Sequence, residues 1–136
     1  MARELGDDRI VPLALQTMAG IDRDQGDYIR ARDQYLESLA IYRRIDDVWG
    51  VTMTLNYVGR LRHLLTEYDA ARAALDEALE LGRVAGDRRA LAMALEYRGA
   101  LATTIGDYAR ARAVFDEGLD LYCQLGDAMG IAMVHK

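Results

Sequence analysis

The stretch that decides the fold is residues 99–115, GALATTIGDYARARAVF, because the chain repeats its pattern at a fixed spacing. A displacement of 40 residues aligns it with 59–75, GRLRHLLTEYDAARAAL, and a further 40 with 19–35, AGIDRDQGDYIRARDQY. Apolar residues recur at helical spacing on both sides of the central tyrosine. A repeat of this length indicates stacked helix pairs, since one pair alone cannot bury its apolar face.

The glycine-aspartate pairs between the periodic segments predict where the helices end and begin. Glycine can close one helix in a left-handed conformation, and aspartate can cap the next. The pattern predicts helices over 8–25, 27–45, 47–66, 68–85, 87–105 and 107–125, and a short seventh helix from residue 127.

The same spacing divides the chain into repeat units of a single array. The predicted units are 7–46, 47–86, 87–126 and a partial fourth at 127–136, with the tail of a preceding unit at 1–6. Because the array starts and stops within a unit, we expect a fragment of a longer protein, with a short natural protein as the alternative. Its uncovered ends, including Ile131, Met133 and Val134, predict self-association.

Composition and charge narrow the class of protein. The 136 residues suit one domain, and 51% hydrophobic with 29% charged residues is an ordinary soluble composition. A net charge of −5 argues against direct nucleic-acid binding. No stretch approaches the roughly 20 apolar residues that cross a membrane, and the charged N-terminus does not fit a signal peptide. We therefore expect a cytoplasmic protein.

The repeated residues resemble the tetratricopeptide repeat (TPR) family. The family motif places a small residue in the first helix, a tyrosine at the turn, an alanine early in the second helix and a large residue four positions later. These positions hold Ala19, Gly59 and Gly99; Tyr28, Tyr68 and Tyr108; Ala31, Ala71 and Ala111; and Tyr35, Leu75 and Phe115. The resemblance covers nearly the whole chain. It implies an all-α, right-handed α-solenoid of antiparallel helix pairs, with Leu95 and Phe115 in the core.

Two departures mark a longer variant of this motif. Leu15, Leu55 and Leu95 replace the usual tryptophan, and the unit has 40 residues rather than about 34. The variant resembles the repeats of bacterial transcriptional regulators of the maltose-activator and antibiotic-regulator types, of kinesin light chains, and of pheromone-sensing regulators of Gram-positive bacteria. The resemblance implies a binding module, and it does not name the partner.

The resemblance also implies a concave groove lined by the first helix of each unit. Positions separated by 3, 4 and 3 residues share one helix face. Adaptable methionines, amides with both donors and acceptors, and basic groups for an acid on the partner all occur there. The candidate groove residues are Leu13, Gln16, Gly20, Arg23, Met53, Asn56, Arg60, His63, Met93, Glu96, Ala100 and Thr103. Alternatively, they are merely solvated polar residues.

Two more specific activities are not expected. The carboxylate clamp of the family, which holds a peptide C-terminus, requires asparagine where this chain has Gly20, Arg60 and Ala100. His63 has no serine or cysteine partner at a plausible spacing, so we do not expect an enzyme. The single cysteine, Cys123, excludes an internal disulfide and a thiol cluster for zinc, and we expect no metal or cofactor.

Three functions stay open at this stage. The first is a non-enzymatic module that binds a protein or peptide in the groove. The second is a structural array that dimerises or spaces other domains. The third is a sensor of a small ligand or peptide pheromone.

Two further predictions concern ion pairs within single helices and the role of the one tryptophan. Arg72 with Asp76 and Arg112 with Asp116 have the spacing of i,i+4 pairs on a solvated face. Trp49 is either a partly exposed anchor for a partner or a side chain that packs over a unit junction.

Overall fold

A computed structural model of the protein describes the backbone of residues 9–134 and the side chains of residues 9–124. This part of the chain contains six helices and no strand. They are α1 Ile10–Asp24, α2 Tyr28–Arg44, α3 Val48–Leu64, α4 Tyr68–Ala85, α5 Arg88–Thr104 and α6 Tyr108–Val134. The first five agree with the predicted helices to within two residues at each end.

The helices form three pairs that stack along the chain. Helices α1 and α2, α3 and α4, and α5 and α6 pack within pairs, and α2 against α3 and α4 against α5 join the pairs. The fold is therefore the predicted all-α solenoid of antiparallel helix pairs.

The turns follow from local backbone chemistry. Gly26, Gly86 and Gly106 have positive φ angles of 84°, 69° and 85°, as expected for residues that close a helix. The side chains of the following residues, Asp27, Asp87 and Asp107, accept hydrogen bonds from backbone amides of the next helix. The predicted glycine-aspartate turns are confirmed at these three places.

The turns before and after α3 are built differently. Asp46 and Thr66 adopt positive φ angles of 57° and 62° without being glycine. Glu67 makes no capping hydrogen bond and instead pairs its carboxylate with Arg32 at 2.6 Å and Arg62 at 2.8 Å. These ion pairs link α2, α3 and the start of α4.

The predicted turn at Gly126–Asp127 and the seventh helix from residue 127 are wrong. Helix α6 continues without a break to Val134. In the described part of the chain no further helix pair covers this segment, so tertiary packing does not favour a turn, and continuing the helix satisfies the backbone hydrogen bonds. The tail at 1–6 and the side chains of Ile131, Met133 and Val134 lie outside what the structure describes.

Small residues and large ones fit together inside each pair as predicted, with one exception. Leu95 and Leu75 are completely buried. Phe115 lies against Gly99 but is 43% exposed, so its expected place in the core is only partly correct. No helix in the described structure covers its outer side.

The arginine-aspartate pairs expected within single helices are wrong. Arg72 pairs with Asp69 at 2.7 Å, and Asp76 instead accepts a hydrogen bond of 2.9 Å from Nε of Arg98 in α5. Arg98 is almost fully buried and therefore competes better than an exposed residue for this carboxylate.

Candidate functional site

A cavity of about 240 Å³ lies on the groove face of the first unit. Its wall in α1 includes Leu13, Gln16, Gly20 and Arg23, four of the predicted groove residues. Thr17, Tyr35 of α2 and Tyr57 of α3 complete the lining. We call this cavity the tyrosine pocket.

Its position follows from how the first two helix pairs are spaced. Tyr42 is buried between α2 and α3, and its ring occupies the place where a side chain on Gly50 would begin. The equivalent residue 40 positions later is Gly82, where an added Cβ would lie only 3.3 Å from Cα of Leu91. The second and third pairs can therefore approach more closely than the first and second.

The inner helices show the same difference. Helices α3 and α5 are in direct contact, whereas α1 and α3 have no comparable contact. The pocket therefore lies between α1 and α3, where the inner helices are not in comparable contact.

The structure removes one candidate from the groove. Asn56 is completely buried, and its Nδ2 donates to the carbonyl oxygen of Ala90 at 3.3 Å. Because α5 packs over α3 at this point, Asn56 is not accessible to a peptide backbone, contrary to the sequence prediction.

The amide of Gln16 is also used inside the protein. Its Nε2 donates to Oγ1 of Thr54 at 2.9 Å, and its Oε1 accepts from the hydroxyl of Tyr42 at 3.4 Å. In the third unit the hydroxyl of Tyr122 donates to Glu96 in the same way, at 3.1 Å. Gln16 therefore lines the pocket, and the predicted pairing of its amide with a peptide backbone would have to displace these bonds.

Aromatic rings form the floor of the groove. The rings of Tyr35 and Tyr57 are stacked with centroids 5.2 Å apart and an interplanar angle of 27°. Cζ of Arg60 lies 5.1 Å from the ring centroid of Tyr97, which is within the range of a cation–π interaction. Sequence reasoning missed Tyr57 and Tyr97 as groove residues, although their separation of one repeat was a signal that could have found them.

Nearby arginines affect the pKa of two of these tyrosines. Burial raises the pKa of Tyr35 and of Tyr97. Arg23 opposes the increase in pKa at both tyrosines, and Arg60 opposes it more strongly at Tyr97. Arg23 therefore lies close enough to interact electrostatically with both tyrosines, and Arg60 with Tyr97.

His63 lies beyond Arg60 on α3. Its Nε2 is 2.8 Å from Oγ1 of Thr104, and its ring meets Tyr68 edge-on with centroids 6.0 Å apart. Burial lowers its pKa, and the positive charge of Arg60 lowers it further. The imidazole is therefore neutral at neutral pH and adds no charge for binding an acid.

The remaining candidates are spread along α3 and α5. Met53, Met93 and Ala100 are half-buried, whereas Glu96 and Thr103 are exposed. The hydroxyl of Thr103 donates to the carbonyl oxygen of Gly99 at 2.9 Å. None of them lines the tyrosine pocket, so the structure concentrates the candidate site in the first unit and the adjacent face of α3.

The described residues contain no group of three or more His, Cys, Asp or Glu residues arranged to hold a metal ion. None of the helices described is long and apolar enough to cross a membrane. Trp49, whose role the sequence left open, is 56% exposed at the start of α3.

Stacked antiparallel helix pairs with a groove along their inner helices define a helical-repeat solenoid. The chain belongs to the tetratricopeptide repeat family, whose model matches residues 50–124. Comparison with curated proteins gives no match.

Two solved structures show the same fold. BtubC (BKLC) from P. vanneervenii superposes with a TM-score of 0.79 and 22% sequence identity over 93% of this chain and 53% of that chain. The N-terminal domain of stress-induced protein-1 (STI-1) from C. elegans superposes with a TM-score of 0.69 and 16% identity over 94% of both chains. The chain thus spans about half the length of BtubC.

Proposed function

We propose that this chain is a non-enzymatic module that binds an extended segment of a protein or peptide in its groove. The observation that carries the proposal is the tyrosine pocket, which offers an aromatic floor beside polar side chains. Concave sites of this mixed character are typical of ligand recognition. TPR domains serve generally as protein-interaction modules, which supports the same function.

The surrounding context is part of the proposal. The resemblance of the 40-residue unit to repeats of bacterial regulators supports a longer cytoplasmic regulator as the parent protein. In that protein Met53, Arg60, His63, Met93, Glu96 and Thr103 would extend the contact surface from the pocket along α3 and α5.

Blocking the pocket tests groove binding. Peptides are first selected from a displayed random library on the immobilised wild-type chain. Gly20→Leu then places a side chain in the pocket, next to Arg23, whose Nη2 lies 3.9 Å from the position of an added Cβ. We expect the affinity of a labelled selected peptide, measured by fluorescence anisotropy, to fall at least about tenfold, equivalent to roughly 1.4 kcal/mol.

The matched control is Ala73→Leu. Ala73 is exposed on α4, outside the candidate groove residues, and does not line the pocket. Its affinity should stay within about twofold of wild type, and thermal unfolding should show that both variants are folded. Peptides that bind Gly20→Leu as well as wild type would contradict the groove proposal.

Self-association is a second proposal, carried by apolar surface at the two ends of the stack. In α6, Phe115, Leu119 and Tyr122 are exposed and border a cavity of about 200 Å³. In α1, Met18 and Ile21 are exposed beside another. Uncovered apolar faces of a repeat array associate readily, and natural arrays normally cover them with polar caps for this reason.

We expect sedimentation velocity to show species larger than a monomer as the protein concentration rises over a hundredfold range. Leu119→Glu should reduce these species because it places a charge on the apolar face of α6. A monomer at every concentration would contradict self-association and leave the groove proposal unaffected.

A further inference from the structure

The tyrosine pocket contains a hydroxyl group with no hydrogen-bond partner in the part of the protein that the structure describes. Tyr35 is only 3% exposed, and its side chain lines the pocket. Its hydroxyl makes no hydrogen bond with any described residue, whereas the hydroxyl of Tyr122 donates to Glu96 at 3.1 Å. The Tyr35 oxygen is not among the enclosed polar atoms that lack a partner, so the hydroxyl is open to the pocket and can donate a hydrogen bond to a ligand.

The arginines of the groove differ from those that join successive helix pairs. Outside the groove, Arg43 pairs with Glu77 at 2.8 Å and Arg83 with Glu117 at 3.0 Å, between successive helix pairs. Arg60 lies over Tyr97 and forms no ion pair with any residue whose side chain is described.

Arg23 is the second cation of the groove. Its nearest carboxylate is that of Asp24, the adjacent residue, at 3.4 Å from Nε, and Asp24 is itself mostly exposed. That contact leaves the terminal nitrogens of the Arg23 guanidinium available at the pocket wall.

We propose that the groove recognises an acidic segment of its partner, with one carboxylate held by Arg23 beside the hydroxyl of Tyr35 and another held by Arg60, which lies over Tyr97. This proposal rests on the groove-binding function proposed above and names the chemistry of the partner. The methylene groups of an aspartate or glutamate would pack on the stacked rings of Tyr35 and Tyr57.

The donors available in the groove favour a carboxylate over other groups. Guanidinium groups donate hydrogen bonds and cannot accept them, and both amide atoms of Gln16 are already engaged. A charge-assisted hydrogen bond at a partly buried site is stronger than one in open water. A basic segment would instead meet two positive charges.

This recognition differs from the carboxylate clamp of the family. At the positions where the clamp has asparagine, the chain has Gly20, Arg60 and Ala100. Gly20 opens the pocket and Arg60 supplies a charge in place of an amide. The proposed site therefore accepts a side-chain carboxylate and does not require a peptide C-terminus.

The peptides selected for the groove experiment provide the test. Among those whose binding is lost in Gly20→Leu, we expect enrichment of aspartate and glutamate. In a selected peptide, replacing the essential Glu by Gln should weaken binding to wild type at least about tenfold. The same replacement should have little effect on binding to Arg60→Gln, because the two changes remove the same interaction.

Inverting the charge separates recognition from a structural effect. Arg60→Glu should select peptides enriched in lysine and arginine, and Arg110→Gln, at an exposed position outside the pocket, should select the same peptides as wild type. Thermal unfolding of each variant checks the fold.

The failures of the two proposals are distinguishable. Groove-dependent peptides without acidic enrichment, or an equal Glu-to-Gln loss in wild type and Arg60→Gln, would overturn acidic recognition and leave groove binding intact. If Gly20→Leu does not weaken any selected peptide, both proposals are overturned.

Discussion

Leu95→Ala is expected to lower the free energy of unfolding by about 2–5 kcal/mol. Leu95 is completely buried in α5 and belongs to the main apolar cluster of the solenoid. Truncation removes buried methyl groups and leaves a cavity, because neighbours held in two helix pairs cannot collapse fully into the space. Chemical denaturation measures the loss.

Arg112→Ala is the matched control for this prediction. Arg112 is exposed on α6, so the free energy of unfolding of this variant should stay within about 0.5 kcal/mol of the wild-type value. Equal losses for the two variants would show that Leu95 does not occupy the core position that the repeat register assigns to it.

Gly59→Ala is expected to lower the free energy of unfolding by about 1–3 kcal/mol, although alanine has a better helix propensity than glycine. A Cβ on Gly59 would lie 2.5 Å from side-chain carbons of Leu75. Since Leu75 is completely buried, it cannot move aside without displacing its own neighbours. The added methyl group therefore pushes α3 and α4 apart.

Gly99→Ala provides the comparison at the same register position. Its Cβ would lie 2.6 Å from Cε1 of Phe115, nearly as close, but Phe115 is 43% exposed and can turn into solvent. We expect a loss below about 1 kcal/mol, measured by the same denaturation experiment. If Gly99→Ala costs as much as Gly59→Ala, exposure of the opposing side chain does not decide the cost of the added methyl group.

The candidate site was only partly predictable from the sequence. The register correctly placed Leu13, Gln16, Gly20 and Arg23 on one helix face, because that relation depends on helical geometry alone. The register also assigned Asn56, at the position of the second unit equivalent to Gln16, to the groove. The structure buries Asn56 under α5, where its side chain bonds the carbonyl oxygen of Ala90.

The tyrosines illustrate the same limit. Tyr35 was assigned to packing, and it is buried as expected, yet its side chain also lines the pocket. Tyr57 and Tyr97 each follow a predicted groove position by one residue and were not selected. Whether such neighbouring positions face the groove depends on the rotation of each helix about its axis, which packing determines.

Sequence periodicity by itself determined the fold class, the helix pairs and the turns after Gly26, Gly86 and Gly106. These features follow from local chemistry, namely helical spacing of apolar residues, left-handed glycines and capping aspartates. Gly126–Asp127 carries the same signal, yet α6 continues through it. A turn signal of this kind takes effect when another helix packs beyond it.

Only the tertiary structure decided the spacing between helix pairs and, with it, where a pocket opens. The deciding contacts join residues far apart in sequence or on different helices, such as Tyr35 with Tyr57 and Arg98 with Asp76. Tyr42 and Gly82 hold equivalent positions in the repeat, but the Tyr42 ring lies against Gly50 at one junction, whereas Gly82 faces the backbone of Leu91 at the other. The consequence of such a substitution depends on side-chain volume at an interface between helices, which a repeat pattern within one chain does not specify.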